Sequence, residues 1–146
     1  MAERIPLQFA LDIPFVQALG MQLWRFDSGV AEVSLDLRPE MHNSWAVAHG
    51  GVLMTLLDVV MAHAARSVRD ASELGTPGIV TVEMKTSFMR PATGRLMATG
   101  HLLHGAKSMA FCDGSVHDAS GALCAHATGT FKLLRKLKRG DEAAAS

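Results

Sequence analysis

The chain has 146 residues, with 14 basic and 14 acidic side chains and a formal net charge of zero. With 49% of its residues apolar, it is large enough for one core in a single domain spanning 1–146. That balance excludes a disordered chain and a partner held by charge, such as nucleic acid. The longest apolar run without a charge ends before Asp58 and is too short to span a bilayer, so no membrane partner is expected. The start "MAERIPLQF" carries early charges of both signs and no long apolar stretch, so it does not read as a signal peptide. With two cysteines expected to be buried and reduced, Cys112 and Cys124, this points to the cytoplasm.

"DIPFVQALG" predicts a short helix beginning after Asp12 and closed by Gly20. "MQLWRF" and "GVAEVSLDLR" follow as strands joined by Asp27-Ser28-Gly29, a turn composition. The second alternates Val30, Glu32 and Ser34 against Ala31, Val33 and Leu35, which gives it two unlike faces. "PEMHNSW" is a loop. From Gly50 to about Arg69 the pattern is helical, and apolar residues occur almost all round it, as expected of a buried helix. "SELGTPG" then breaks the pattern.

Four more strands are predicted at "IVTVEMKTSFM", "RLMATGHLLHG", "SMAFCDGSVHD" and "ALCAHATGTFKLL". Their short connections, "RPATG", "GAK" and "DASG", predict an antiparallel meander. A turn at Asp118 to Gly121 sets residue 117 opposite 122 and Cys112 opposite Ala127, with Cys124 on the other face. Alternation along the first of these strands groups Val80, Val82 and Met84 apart from Thr81, Glu83 and Lys85. The sum is an α+β fold, a curved antiparallel sheet wrapped around one long central helix. The end of the chain, about 134–146, reads as a solvated basic and Ala-rich tail.

The chemistry concentrates in "NSWAVAHGGVLMTLLD". A helix beginning near Gly50 leaves its first amides without intrahelical partners, ready for an anion or a carbonyl oxygen becoming one. Glycines at 50 and 51 let a ligand approach the backbone closely. Asp58 lies about two turns along, beside Gly51, Met54, Thr55, Met61, Ala62 and Ala65, several of them small. Desolvation there favours a base or a nucleophile. The alternative is an aspartate capped by a hydroxyl or a backbone amide that only fixes packing.

The order Asn43, His49, Gly50, Asp58, with "HGG" leading into a buried helix and four strands after it, resembles the hotdog-fold acyl-CoA thioesterases. The resemblance is to their phenylacetic-acid-pathway (PaaI-like) branch and runs from "IPFVQALG" to "GTFK". It implies that the thioester carbonyl rests on the Gly50 amide and that Asp58 is the nucleophile or the general base for a water. It further implies that Asn43 holds the water or the thioester and that His49 orients the group. Thr81 occupies a place where relatives carry a Ser or Thr that aligns the attacking water, although β-propensity alone would also explain it. Gly51 would face the substrate, and Arg90 and Lys107 are candidates for the coenzyme A phosphates. Sites in that family lie between two subunits. A homodimer or homotetramer is therefore implied, with Gly50 and Asp58 of one site on different chains.

Other readings fit less well. Of the seven histidines, His101 and His104 fall on opposite strand faces by alternation. No H-E-x-x-H or C-x-x-C occurs, so neither a metal nor a cofactor is expected. "HGG" also occurs in α/β-hydrolases, but their G-x-S-x-G nucleophile elbow is missing here. A hotdog hydratase pattern is absent as well. The remaining rival is a hotdog protein that binds acyl-CoA or another apolar ligand without hydrolysing it. Trp24, Trp45 and Phe88 would be apolar walls or core in either case.

Overall fold

The computed structural model describes residues 2–69 and 78–134. Most of the "SELGTPG" break and the basic tail from residue 135 onward lie outside them. The apolar face of each strand packs on one helix, and the order of elements follows from that. Helix α1 (Pro14–Leu19) leads into β1 (Gln22–Asp27) and β2 (Val30–Asp36). A 3-10 turn at Pro39–Met41 precedes α2 (Gly50–Arg66). The chain then runs through β3 (Gly78–Phe88), β4 (Arg95–Gly105), β5 (Met109–His117) and β6 (Leu123–Leu134). All pairings are antiparallel, in one sheet of order β1-β2-β4-β5-β6-β3. No helix among the described residues is long and apolar enough to cross a membrane.

The meander holds for β4, β5 and β6 but not for β3, which pairs with β6 and forms the opposite edge. "MRPATG" is therefore a crossover, not a hairpin turn. It is tied down on its way: the Met89 and Arg90 amides donate to the Cys124 carbonyl, and Ala92 accepts from the Ala48 amide at 2.9 Å. Ala92 is buried. This path carries the chain past the N-terminus of α2 and helps wall the site described below.

The sheet covers one side of α2, burying Leu53, Leu56, Leu57, Val60, Met61, Ala64 and Ala65. The approach is close because the facing strands offer almost no side chain. A Cβ on Gly100 would run into the carbonyl oxygen of Val60, and one on Gly129 would lie 3.0 Å from Met61 Cε. Contrary to the sequence pattern, α2 is not enclosed all round. Gly51 and Met54 are exposed, and Thr55, Asp58, Val59 and Ala62 are only partly covered. Six strands suffice to wrap about half of the helix, and the rest forms an open, largely apolar strip.

Bulges overturn three expectations drawn from simple alternation. In β3 a bulge between Thr81 and Glu83 puts Thr81 opposite Phe131 and Met84 opposite Gly129. Thr81 and Met84 thus share the helix-facing side, while Glu83, opposite Thr130, faces outward. In β4 a bulge between Leu102 and His104 places His101 opposite Asp113 and His104 opposite Phe111, on one face instead of two. The β5–β6 turn is held by Asp118 Oδ1, which accepts from the amides of Ser120 and Ala122. With a further bulge at Val116–His117, His117 pairs with Leu123 and Cys112 with Gly129, not Ala127. Both cysteines are buried and unpaired.

Candidate active site

His49 is the N-cap of α2, and its Nδ1 accepts the Gly51 amide at 2.9 Å. Because that nitrogen accepts, the ring proton of the neutral imidazole sits on Nε2. The Gly51 amide is thereby consumed inside the cap. The His49 carbonyl takes the amides of Val52 and Leu53. The Gly50 amide donates to no acceptor among the described residues. One free N–H therefore stands at the positive end of a 17-residue helix, the arrangement that binds a developing oxyanion. A Cβ at Gly50 would touch the Phe88 ring at 3.4 Å, so that ring packs beside Gly50.

Asn43 shapes the loop before the cap. Its Oδ1 accepts the Trp45 amide at 2.9 Å and the Val47 amide at 3.5 Å. Its own amide donates to the Val47 carbonyl at 2.8 Å, and its carbonyl accepts the Ala46 amide. Ala46 sits at φ 58°, a left-handed conformation unusual for a residue with a side chain. With its oxygen committed to the loop, only the Asn43 Nδ2 hydrogens are left to reach outward. This loop, the Gly50 end of α2 and the crossover border an open cleft of about 530 Å³. Asn43, Trp45, Gly50, Leu53, Phe88, Met89 and Arg90 are among its walls. Trp24 is not; its indole N–H donates to Ser34 Oγ at 2.7 Å under the Arg4 and Arg95 guanidinium groups.

Asp58 is not part of that cleft. It stands eight residues beyond Gly50, roughly 12 Å along the helix axis, on the open strip. Thr81 Oγ1 donates to its Oδ1 at 2.6 Å. Within one protomer the structure thus brings together Asn43, His49, Gly50 and Arg90, and separately Asp58 and Thr81. Lys107 stands at the far end of the sheet, next to Ala106, whose carbonyl accepts from Arg69 near the end of α2. The crossover residues Met89 and Pro91 were not anticipated from sequence. The signal for them was the length of "MRPATG", more than a tight hairpin needs.

On the outer sheet face Asp113 lies 3.5 Å from both His101 Nδ1 and His126 Nε2. Among the described residues no group of three or more His, Cys, Asp or Glu is placed to hold a metal ion.

Residues 46–125, more than half of the chain, match the sequence profile of the thioesterase superfamily. The chain belongs to that family and is an enzyme of the thioester hydrolase class. It is 29% identical over 138 residues to the medium/long-chain acyl-CoA thioesterase YigI of Escherichia coli, covering 86% of this chain and 88% of YigI. Among solved structures, conserved protein PA5202 of Pseudomonas aeruginosa superposes with a TM-score of 0.77 at 27% identity, covering 84% of this chain and 95% of that one. The PaaI protein of the E. coli phenylacetic acid degradation operon superposes at 0.76 with 24% identity, covering 84% and 86%, a likeness of fold.

Proposed function

We propose that this protein is a cytoplasmic acyl-CoA thioesterase of the PaaI-like branch, with each active site built from two subunits. The thioester oxygen accepts the Gly50 N–H, and the α2 N-terminus stabilises the charge that develops there. Asp58 of the partner subunit takes a proton from water as the water adds to the carbonyl carbon, or attacks that carbon itself. With water as the nucleophile, collapse of the tetrahedral intermediate breaks the C–S bond and the thiolate takes the proton held by Asp58, leaving free acid and coenzyme A. With Asp58 as the nucleophile, collapse releases the thiolate, which is protonated from solvent, and leaves an acyl–Asp58 anhydride that a water then hydrolyses to the free acid and the carboxylate. Thr81 fixes the carboxylate through the hydroxyl contact, and His49 sets the cap that leaves the Gly50 amide free. Asn43 positions the thioester through Nδ2, and Arg90 meets the coenzyme's phosphates. Lys107 has no place in a site formed around the same chain's Gly50.

The observation that carries this reading is the separation of the two halves: an unpaired amide and a carboxylate on one helix, too far apart to meet one carbonyl. A second copy supplies the missing half. Supporting it, β3 is an edge strand of 11 residues with no partner on its outer side among the described residues. It carries exposed Val82 and Phe88 beside the open strip with exposed Met54. Such an edge favours pairing with its twin. The other edge, β1, is already bridged by Leu7 at Leu23.

A non-hydrolytic acyl-CoA-binding protein is the second reading, favoured by the Thr81 contact, which satisfies an Asp58 oxygen as a packing role would require. Incubation with aryl, short, medium and long acyl-CoAs, with free thiol as the readout, separates the two. Thiol release supports the enzyme. Binding of the same compounds without release supports the second reading.

A further inference from the structure

The formal charge of the whole chain is zero, but one end of the sheet collects cations. Arg69 follows α2 and donates to the Ala106 carbonyl in the β4–β5 turn at 2.9 Å, which brings it beside Lys107 of the same turn. The Ser108 carbonyl accepts the Leu133 amide at 2.8 Å, so the end of β6, with Lys132, lies there too. Lys107 and Lys132 are exposed and meet no carboxylate among the described residues. The chain leaves from this end after Leu134 and continues with Arg135, Lys136, Lys138 and Arg139. Asp70 and Glu73 before β3, and Asp141 and Glu142 further along, are fewer than these cations.

Two aliphatic side chains stand exposed at the same end, Leu103 at 62% and Val68 at 50%. They belong together, because Val68 and Leu102 both lie against Gly29 in the β1–β2 turn. The carboxylate at the end of β1, Asp27, is 3.4 Å from Arg25. Since the chain as a whole is neutral, a positive end leaves the remainder net negative. The protein is thus polarised, and a negative surface draws one end and repels the rest.

From this arrangement we infer that the end of the sheet bearing Lys107, Lys132, Leu103 and Val68 docks on an anionic lipid bilayer, peripherally and reversibly. Cations around exposed aliphatic groups match lipid phosphates around hydrocarbon. Single-stranded nucleic acid calls for aromatic platforms among the cations, whereas Leu103 and Val68 are aliphatic. Neither the zero net charge nor the want of a spanning apolar run reveals such a surface, because separated segments assemble it. It uses neither Gly50 nor Asp58 and stands apart from the thioesterase reading.

The test is co-sedimentation with vesicles of phosphatidylcholine alone and of equal parts phosphatidylcholine and phosphatidylglycerol. The full chain should pellet with the mixed vesicles at low salt, stay in solution with the neutral ones, and come off as salt rises. Each cation near such a surface is worth about fivefold in partition, so Lys107→Gln with Lys132→Gln should weaken binding about twenty-five-fold. Leu103→Ser should weaken it severalfold and leave the salt dependence unchanged. Arg4→Gln, which removes a cation beside Trp24 of β1, should bind as the wild type does. Circular dichroism verifies the fold of each variant. No pelleting with either vesicle, equal pelleting with both, or the same loss in Arg4→Gln as in the double lysine variant overturns the inference. Retention by single-stranded RNA without binding to the mixed vesicles overturns it as well.

Discussion

The Thr81 hydroxyl donates to Asp58 Oδ1 at 2.6 Å, tying edge strand β3 to the open side of α2. The contact exists because a bulge turns Thr81 toward the helix. It leaves Oδ2 as the oxygen available to water or to a carbonyl carbon.

Removing either member should separate chemistry from folding. Asp58→Asn is expected to lower kcat at least about a hundredfold, the scale of a lost general base. Thr81→Val keeps shape and removes the hydroxyl, so kcat should fall about tenfold with KM unchanged, as for loss of one hydrogen bond that orients a reacting group. Steady-state kinetics with a chromogenic thiol assay, and circular dichroism to verify the fold, check both. Wild-type turnover in Asp58→Asn would remove this carboxylate from the mechanism.

Gly100 sets the distance between helix and sheet. Because the obstacle is the Val60 carbonyl and not the end of a flexible side chain, Gly100→Ala forces backbone apart. A destabilisation of about 3 kcal/mol is expected, the upper range of ordinary overpacking. Urea midpoints measure it. Gly121→Ala is no control, since φ there is positive; Ala119→Ser, on the exposed β5–β6 turn, should be close to neutral.

His63 makes the core sensitive to acid. It lies between the rings of Phe9 and Phe26, with Nδ1 2.7 Å from the Val59 carbonyl and Nε2 buried without a partner among the described residues. Burial pushes its pKa down, the Val59 hydrogen bond pulls it up less, and the Arg66 charge adds to the depression. The unfolded chain takes up this proton near pH 6.5, as an ordinary histidine does, and the folded chain only at lower pH. Below about 6.5 the unfolded state therefore binds more protons, and stability falls as pH falls, by up to about 1.4 kcal/mol per unit for one proton. Its contribution is fully present above that value. His63→Leu should flatten this part of the profile, read from urea midpoints at pH 7.5 and 5.

Much of this architecture was legible in the residues. The α2 start at Gly50 and the positions of the strands followed from apolar periodicity and turn composition, whereas the cap that His49 makes through its own ring did not. What periodicity does not report is how much of a helix a sheet covers. The all-round apolar pattern of α2 read as complete burial, whereas the strip around Asp58 lies open in the protomer. Period-two counting also fails wherever a bulge inserts a residue, which moved Thr81 to the helix side and set His101 and His104 on one face. The crossover after β3 looked like a hairpin turn because a five-residue connection is compatible with either. In the site, Asn43 was legible as a residue type and not as a loop builder, since its carbonyl oxygen turns inward to the Trp45 and Val47 amides.

The shared site is tested most directly by mixing two inactive chains. Asp58→Asn removes the carboxylate. Gly50→Pro removes the free N–H at the first helical position, where proline is best tolerated and where His49 already has an extended backbone. Each variant alone should be inactive. Co-expressed with separate tags, the mixed dimer should hold one intact site, Gly50 from one chain and Asp58 from the other, and the pool should regain about a quarter of wild-type turnover under random pairing. Mixed dimers isolated through both tags that show no activity would contradict the account.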